Sequence, residues 1–186
     1  MKNISLAVLL AVSTMSSVAL ASSHTVSLGY AQSDVQNFND ISGANLQYRY
    51  EFDSPLSILG SFTYMQGDGK NSYYVANDAV TNNADVKYYS FLVGPAWRIN
   101  EYVSLYALGG FAYVKASGMT KWEDSASDYI GREDLSEKST SFAYGAGVLI
   151  NLQENIPVNI GYEGTQADMD GNYSINCFNV GIGYRF

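Results

Sequence analysis

Apolar and polar residues alternate along most of this chain with a period of two, and the pattern is cleanest at its end. Phe178, Val180, Ile182, Tyr184 and Phe186 fall on one parity, and Cys177, Asn179, Gly181, Gly183 and Arg185 on the other. Side chains of a strand point alternately to opposite faces, so the first set lines one side of a terminal strand. An apolar strand ending on an aromatic suits a barrel wall that meets lipid. Seven further runs share the pattern. Their outward sets are Val26, Leu28, Tyr30; Ala44, Leu46, Tyr48, Tyr50; Ile58, Phe62, Tyr64; and Tyr89, Phe91, Val93, Trp97. Then come Val103, Leu105, Ala107, Phe111, Tyr113; Phe142, Tyr144, Ala146, Val148, Ile150; and Val158, Ile160, Tyr162. Runs of about ten residues are what a tilted strand needs to cross the hydrocarbon.

Connections alternate in length. Phe52-Asp-Ser-Pro55, Ile99-Asn-Glu-Tyr102 and Leu152 to Pro157 are short, with turn-forming residues. Segments 31–40, 66–85, 115–139 and 165–174 are long and polar, and are expected to be loops. Short periplasmic turns opposite long external loops characterise bacterial outer-membrane barrels. The expected fold is therefore all-β: an eight-stranded antiparallel transmembrane up-and-down barrel, both termini periplasmic. Pro95 cannot donate to a ladder; facing lipid beside Gly94, it calls for a local bulge.

The N-terminus supplies an address. Lys2, the apolar run Ile4 to Val12 and Ala19-Leu20-Ala21 have the order of a secretory signal peptide cleaved before Ser22. A membrane anchor would need a longer run, and this one is broken by Ser13, Thr14, Ser16 and Ser17. Residues 1–21 are thus expected to be the signal peptide and 22–186 the barrel. With no second run long enough for a membrane helix, the mature chain can span a membrane only as a closed barrel. Sixteen Tyr, eight Phe and seventeen Gly suit alternating faces with aromatic belts, although a soluble sandwich is similarly composed.

A barrel of eight strands is narrow enough for side chains to fill. Asn45, Gln47, Arg49, Glu51, Arg98, Tyr106, Glu163 and Arg185 fall on inward parity and are expected to form a polar, partly ionic core. Such charges are tolerable only when paired. A structural role suits them better than transport, and inward Leu59, Leu92, Leu108 and Leu149 oppose a continuous wet channel. The single Cys177 excludes an intrachain disulfide and a cysteine zinc site. No catalytic, cofactor-binding or metal-binding set emerges. Glu123-Asp124 and Glu133-Asp134 imitate carboxylate dyads but have no histidine nearby, and the paired glycines at 109–110, 145/147 and 181/183 lie within strands.

The C-terminal run fits the pattern aromatic-x-x-Gly-x-Gly-Tyr-basic-Phe, and so resembles the enterobacterial Ail/OmpX/PagC/Lom outer-membrane proteins. Gly43-Ala-Asn-Leu-Gln-Tyr-Arg-Tyr-Glu51 is similar to the family's other signature, departing from it at Ala44 and Gln47. Gly29-Tyr-Ala-Gln-Ser-Asp34, Gly60-Ser-Phe-Thr-Tyr64, Gly94-Pro-Ala-Trp-Arg-Ile-Asn100 and Tyr144-Gly-Ala-Gly147 extend the likeness to almost every strand. Among members, the strands look most like outer membrane protein X. The resemblance implies a barrel without enzymatic activity, inserted by an assembly machinery that reads the terminal aromatic, here Tyr184 and Phe186. It also implies outer-membrane lipid and lipopolysaccharide as surroundings and a monomeric state. Members variously promote adhesion, invasion, complement resistance or survival in macrophages, while others have no such role.

The four long segments hold thirteen acidic and five basic residues, a net −8 out of −9 for the mature chain. A surface like this should repel heparin-like polyanions and nucleic acid, and should favour basic protein patches or divalent cations bridging to lipopolysaccharide. Solubility alone explains acidic loops equally well. The longest segment carries Met119, Trp122, Tyr129, Ile130 and Leu135 among its charges. These are candidate anchors for a host extracellular or complement protein, or else an amphipathic loop folded over the barrel mouth. Flanking strands that extend above the membrane would offer an edge to such a partner.

Overall fold

The computed structural model describes residues 24–35, 40–75, 78–123, 129–168 and 172–186; the expected signal peptide lies outside them. Eight strands form one closed antiparallel barrel: β1 (His24–Val35), β2 (Ile41–Glu51), β3 (Leu56–Val75), β4 (Asp78–Arg98), β5 (Val103–Glu123), β6 (Tyr129–Gln153), β7 (Ile156–Asp168) and β8 (Asn172–Arg185). Each strand pairs with its neighbours in sequence, and β1 pairs with β8 from Thr25↔Arg185 to Val35↔Ile175. At the seam the His24 and Phe186 backbones bond reciprocally, N to O at 3.3 and 2.9 Å. Closure leaves no strand edge within the hydrocarbon, where an unpaired backbone group would cost several kcal/mol.

The alternation seen in the sequence becomes inside and outside. Leu28, Leu46, Phe62, Phe91, Phe111, Phe142, Val180 and Ile182 are exposed on the outer wall. Leu59, Leu92, Leu108 and Leu149 are buried in the lumen with Asn45, Gln47, Arg49, Glu163 and the Cys177 thiol, which stands 3.7 Å from the Met65 sulfur. Ala107 is exposed on the outer wall, and its neighbour Leu108 is buried. Aromatic rings collect at both ends of the apolar band. Tyr64, Tyr89 and Tyr113 run side by side with centroids 5.0 and 6.2 Å apart. At the opposite end His24, Tyr50, Phe52, Tyr184 and Phe186 cluster, His24 stacking on Phe186 at 5.9 Å.

Three expectations change. The segments taken as loops are largely strand: β3 to β6 run for 20, 21, 21 and 25 residues. Beyond the membrane both faces meet water, so polarity stops alternating, but backbone pairing does not depend on apolar side chains and continues. The turn expected over Leu152 to Pro157 shrinks to the two residues between β6 and β7, with a register irregularity between Asn151 and Gln153. Pro95 makes no bulge. Pairing of β4 with β5 lapses after Val93↔Gly109 and resumes at Ala96↔Tyr106 in the same register. The missing N–H is thus absorbed by a gap in one ladder, while Ile58↔Pro95 holds the other. The turn after β4 is held by Asn100, whose Oδ1 accepts from the Tyr102 and Val103 amides at 2.9 and 2.8 Å.

Candidate functional site

Two parts of the barrel gather the residues singled out above: the lumen and the sheet that rises from its extracellular rim. In the lumen the expected polar residues divide into two separate groups. Near the periplasmic end Glu51 is the centre of three guanidinium groups. Its Oε1 lies 3.1 Å from Arg49 Nη1, and its Oε2 lies 2.6 Å from Arg185 Nη2 and 3.9 Å from Arg98 Nη1. Strand ends bring them together: Arg49 and Glu51 share an inward face of β2, while Arg98 and Arg185 finish β4 and β8. Arg49 also donates from Nε to Ser57 Oγ at 2.8 Å and from Nη2 to Ser104 Oγ at 3.1 Å, so each guanidinium nitrogen has a partner although it is almost fully buried.

Glu163 does not join this network. It is bonded by the Tyr88 hydroxyl, and by the Thr63 hydroxyl at 3.1 Å. Asn45 sits beside it, donating to Ser61 and Thr63 at 2.8 and 2.9 Å. The expectation grouped Glu163 with the other inward polar residues in one core because sequence parity gives the face but not the height along the barrel axis. Tyr88 and Thr63 were missed for a different reason, since each alternates inward without carrying a charge. Gln47 and Tyr106 are also buried in the lumen. The Tyr106 ring reaches across to Gly147 and Gly161, where no Cβ can stand: one at Gly161 would collide with the Tyr106 hydroxyl and lie 2.7 Å from Asn179 Oδ1. Gly161→Ala is therefore expected to cost about 1–3 kcal/mol by overpacking. Urea titration of the folded barrel, alone and with Tyr106→Leu, checks this; the second change should recover most of the loss.

Above the tyrosine row the barrel opens into a sheet. The β2–β3 ladder ends at Ser42↔Gln66 and the β6–β7 ladder at Ala143↔Thr165, whereas β3, β4, β5 and β6 go on pairing with one another. Among the described residues, β3 beyond Gln66 and β6 before Ala143 therefore extend past the ladders to β2 and β7, with Thr165 Oγ1 of β7 still donating to Phe142 O at 2.8 Å. Register places Trp122 opposite Gly131 and Val80, Leu135 opposite Gly118, Tyr129 opposite Glu123, and Met119 opposite Asn83 and Asp134; Ile130 falls at the irregularity beside Trp122. These five do not occupy one face. Met119 and Tyr129 take positions on the outer side of the sheet, and Trp122 and Leu135 on the side continuous with the lumen. The same alternation places Glu133, paired with Thr120, and Asp134, paired with Met119, at register positions on opposite faces. Among the described residues no group of histidine, cysteine or carboxylate side chains could hold a metal ion.

A model of the enterobacterial Ail/Lom protein family matches residues 2–186. The chain is 44% identical over 190 residues to the virulence membrane protein PagC of Salmonella typhimurium, spanning all of both chains. It is 37% identical to outer membrane protein X of Escherichia coli K12, covering 97% of this chain and 95% of that one. The strand motifs pointed to outer membrane protein X, whereas identity over the whole chain is higher to PagC. Among solved structures, the attachment invasion locus protein of Yersinia pestis superposes with a TM-score of 0.69 at 32% identity, covering 90% of this chain and 100% of that one. The same Yersinia protein has been crystallised with the heparin analogue sucrose octasulfate, and that structure superposes with a TM-score of 0.67 at 33% identity.

Proposed function

Because this chain belongs to the enterobacterial Ail/Lom family of outer-membrane barrels, we propose that its extracellular sheet contacts host proteins or cell surfaces. Adhesion, invasion or resistance to serum would be the outcome. The observation that carries this reading is the four-stranded sheet of β3 to β6, which goes on pairing beyond the end of the β6–β7 ladder at Ala143↔Thr165 and so stands clear of the barrel wall. Backbone groups along an unpaired edge form a template for a strand from a partner, and alternate side chains select which strand is accepted. Trp122 and Leu135 stand at register positions on one side of this sheet, and Tyr129 on the other. The names of the relatives, a virulence membrane protein and an attachment invasion locus protein, support the same reading. The lumen, packed with leucines and a bonded polar core, acts as the rigid base that holds the sheet clear of the membrane. Insertion through the assembly machinery, reading Tyr184 and Phe186, and action as a monomer complete the proposal.

The test is expression in a non-adherent, serum-sensitive Gram-negative strain, scored for epithelial-cell binding and survival in serum. Glycine–serine replacement of residues 119–135, at matched surface expression, is expected to reduce both by about thirtyfold or more, the scale of losing a binding hot spot. Undiminished adhesion and survival would leave a structural or envelope-homeostasis barrel with no host ligand as the better reading.

A further inference from the structure

The chain's one histidine lies where cleavage of the leader gives it a chemical use. With Ala19-Leu20-Ala21 removed before Ser22, the mature protein begins Ser22-Ser23-His24. A histidine third from a free amine completes a chelate built mostly from backbone. The Ser22 amine, the amide nitrogens of Ser23 and His24, and the imidazole Nδ1 can close three fused rings around one ion, with all donors in a plane. A square of nitrogens selects Cu(II) or Ni(II), and Cu(II) is bound the more tightly. Zn(II), which prefers a tetrahedron, suits it poorly. Ser22 and Ser23 lie outside the described residues and contribute backbone nitrogens alone.

The two donors of His24 stand at the periplasmic rim and are lightly held. His24 is the first residue of β1 and is half-buried. Its amide donates to Phe186 O over 3.3 Å, the longer of the two bonds that end the seam; the return bond, from the Phe186 amide to His24 O, is 2.9 Å. Nδ1 lies 2.7 Å from the Tyr48 hydroxyl in an exposed contact. The ring rests against Phe186 and Tyr50, with centroids 5.9 and 5.1 Å away. Metal binding therefore gives up the long final rung of the seam and the tyrosine contact. It leaves the Phe186-to-His24 rung and the ladder from Thr25↔Arg185 inward unbroken. The amide protons of Ser23 and His24 pass to solvent with that of the ammonium.

We propose that the mature N-terminus binds one Cu(II) ion at the periplasmic mouth of the barrel, through the Ser22 amine, the Ser23 and His24 amides and His24 Nδ1. The site exists only where the leader is cut before Ser22. It lies at the end of the barrel away from the extracellular sheet and is independent of any host contact there. Because the ion takes the His24 amide, copper loading opens the last rung of the closing seam and turns the imidazole away from Tyr48 and Phe186. The barrel thereby couples copper in the periplasm to the end of its own seam.

The test uses protein secreted with its own leader, purified from the outer membrane in detergent and titrated with Cu(II) in excess Zn(II). Intact-mass measurement identifies the first residue. A chain beginning at Ser22 is expected to take up one Cu(II), develop the visible absorption of a square-planar copper–nitrogen centre and release protons. His24→Ala should lose all of this. Two further variants keep His24 in place on the wall: Ser23→Pro, which has no amide proton to give up, and one glycine inserted after Ser22, which moves the imidazole to fourth position. Both should also lose the centre. Tyr48→Phe removes the hydroxyl that competes for Nδ1 and should tighten binding about fivefold, the worth of one hydrogen bond. A first residue other than Ser22 would overturn the cleavage on which the site depends. A chain that begins at Ser22 yet binds no copper would overturn the ligand set. Binding that survives Ser23→Pro or the insertion would assign the metal to other groups and overturn the site.

Discussion

Glu51→Leu is expected to destabilise the folded barrel by about 3 kcal/mol, a shift of more than a hundredfold toward the unfolded state. The carboxylate is almost fully buried and lies within 4 Å of Arg49, Arg98 and Arg185. Its removal leaves three cations at one end of a narrow lumen with no anion between them. Breaking a buried ion cluster by deleting one partner costs about 3–5 kcal/mol because the other charges stay desolvated. The lower end applies here, since Arg98 and Arg185 retain 34% and 20% exposure and reach water. Arg98→Leu should matter far less, about 1 kcal/mol or under, because its contact is 3.9 Å long and partly solvated. Urea titration in lipid vesicles, followed by heat-dependent gel migration, separates the two. Equal costs for both substitutions would show that Glu51 does not anchor the cluster.

Ala107→Arg is expected to cost about 2–4 kcal/mol in the same assay, as a cation at the bilayer midplane does. Ala107 faces outward between the exposed Leu105 and Phe111, opposite Ala146 of β6. The penalty should fall to about 0–1 kcal/mol for Tyr113→Arg, which lies in the extracellular girdle where the guanidinium can reach headgroups. A flat response along β5 would mean that this face does not meet lipid. The contrast needs no knowledge of what the extracellular sheet binds, so it tests membrane insertion separately from host recognition.

How much of the candidate site could be read in advance varied with the kind of residue. Arg49, Glu51, Arg98 and Arg185 are charges on inward parity near strand ends, and a charge in a narrow lumen announces itself. Glu163 was equally visible, but its partners Tyr88 and Thr63 were not, because neutral side chains on inward parity look like ordinary filling. Met119, Trp122, Tyr129, Ile130 and Leu135 seemed a single patch when counted along the chain. Pairing them with their neighbours divides them between two faces. The lysines at 87, 115 and 138 show the reverse case: scattered along an acidic stretch, they become one row only when the strands are aligned.

The sequence by itself determined the number of strands and their inward and outward faces. Period-two alternation is local: it follows from backbone geometry and from the demand that lipid sees only apolar side chains. The likeness to an outer-membrane family was legible for the same reason, since its motifs are strand faces. Tertiary structure alone decided the rest. Where water lies on both sides, the alternation disappears, so strand length above the membrane had no local signature; the unbulged Pro95, facing lipid, had none because a gap in one ladder leaves alternation unchanged. Register decided which charges meet, bringing Glu51 to three arginines, Glu163 to a tyrosine and a threonine, and three lysines to one another. Those distances depend on how far each strand slides along the next, which backbone pairing settles only when the barrel closes.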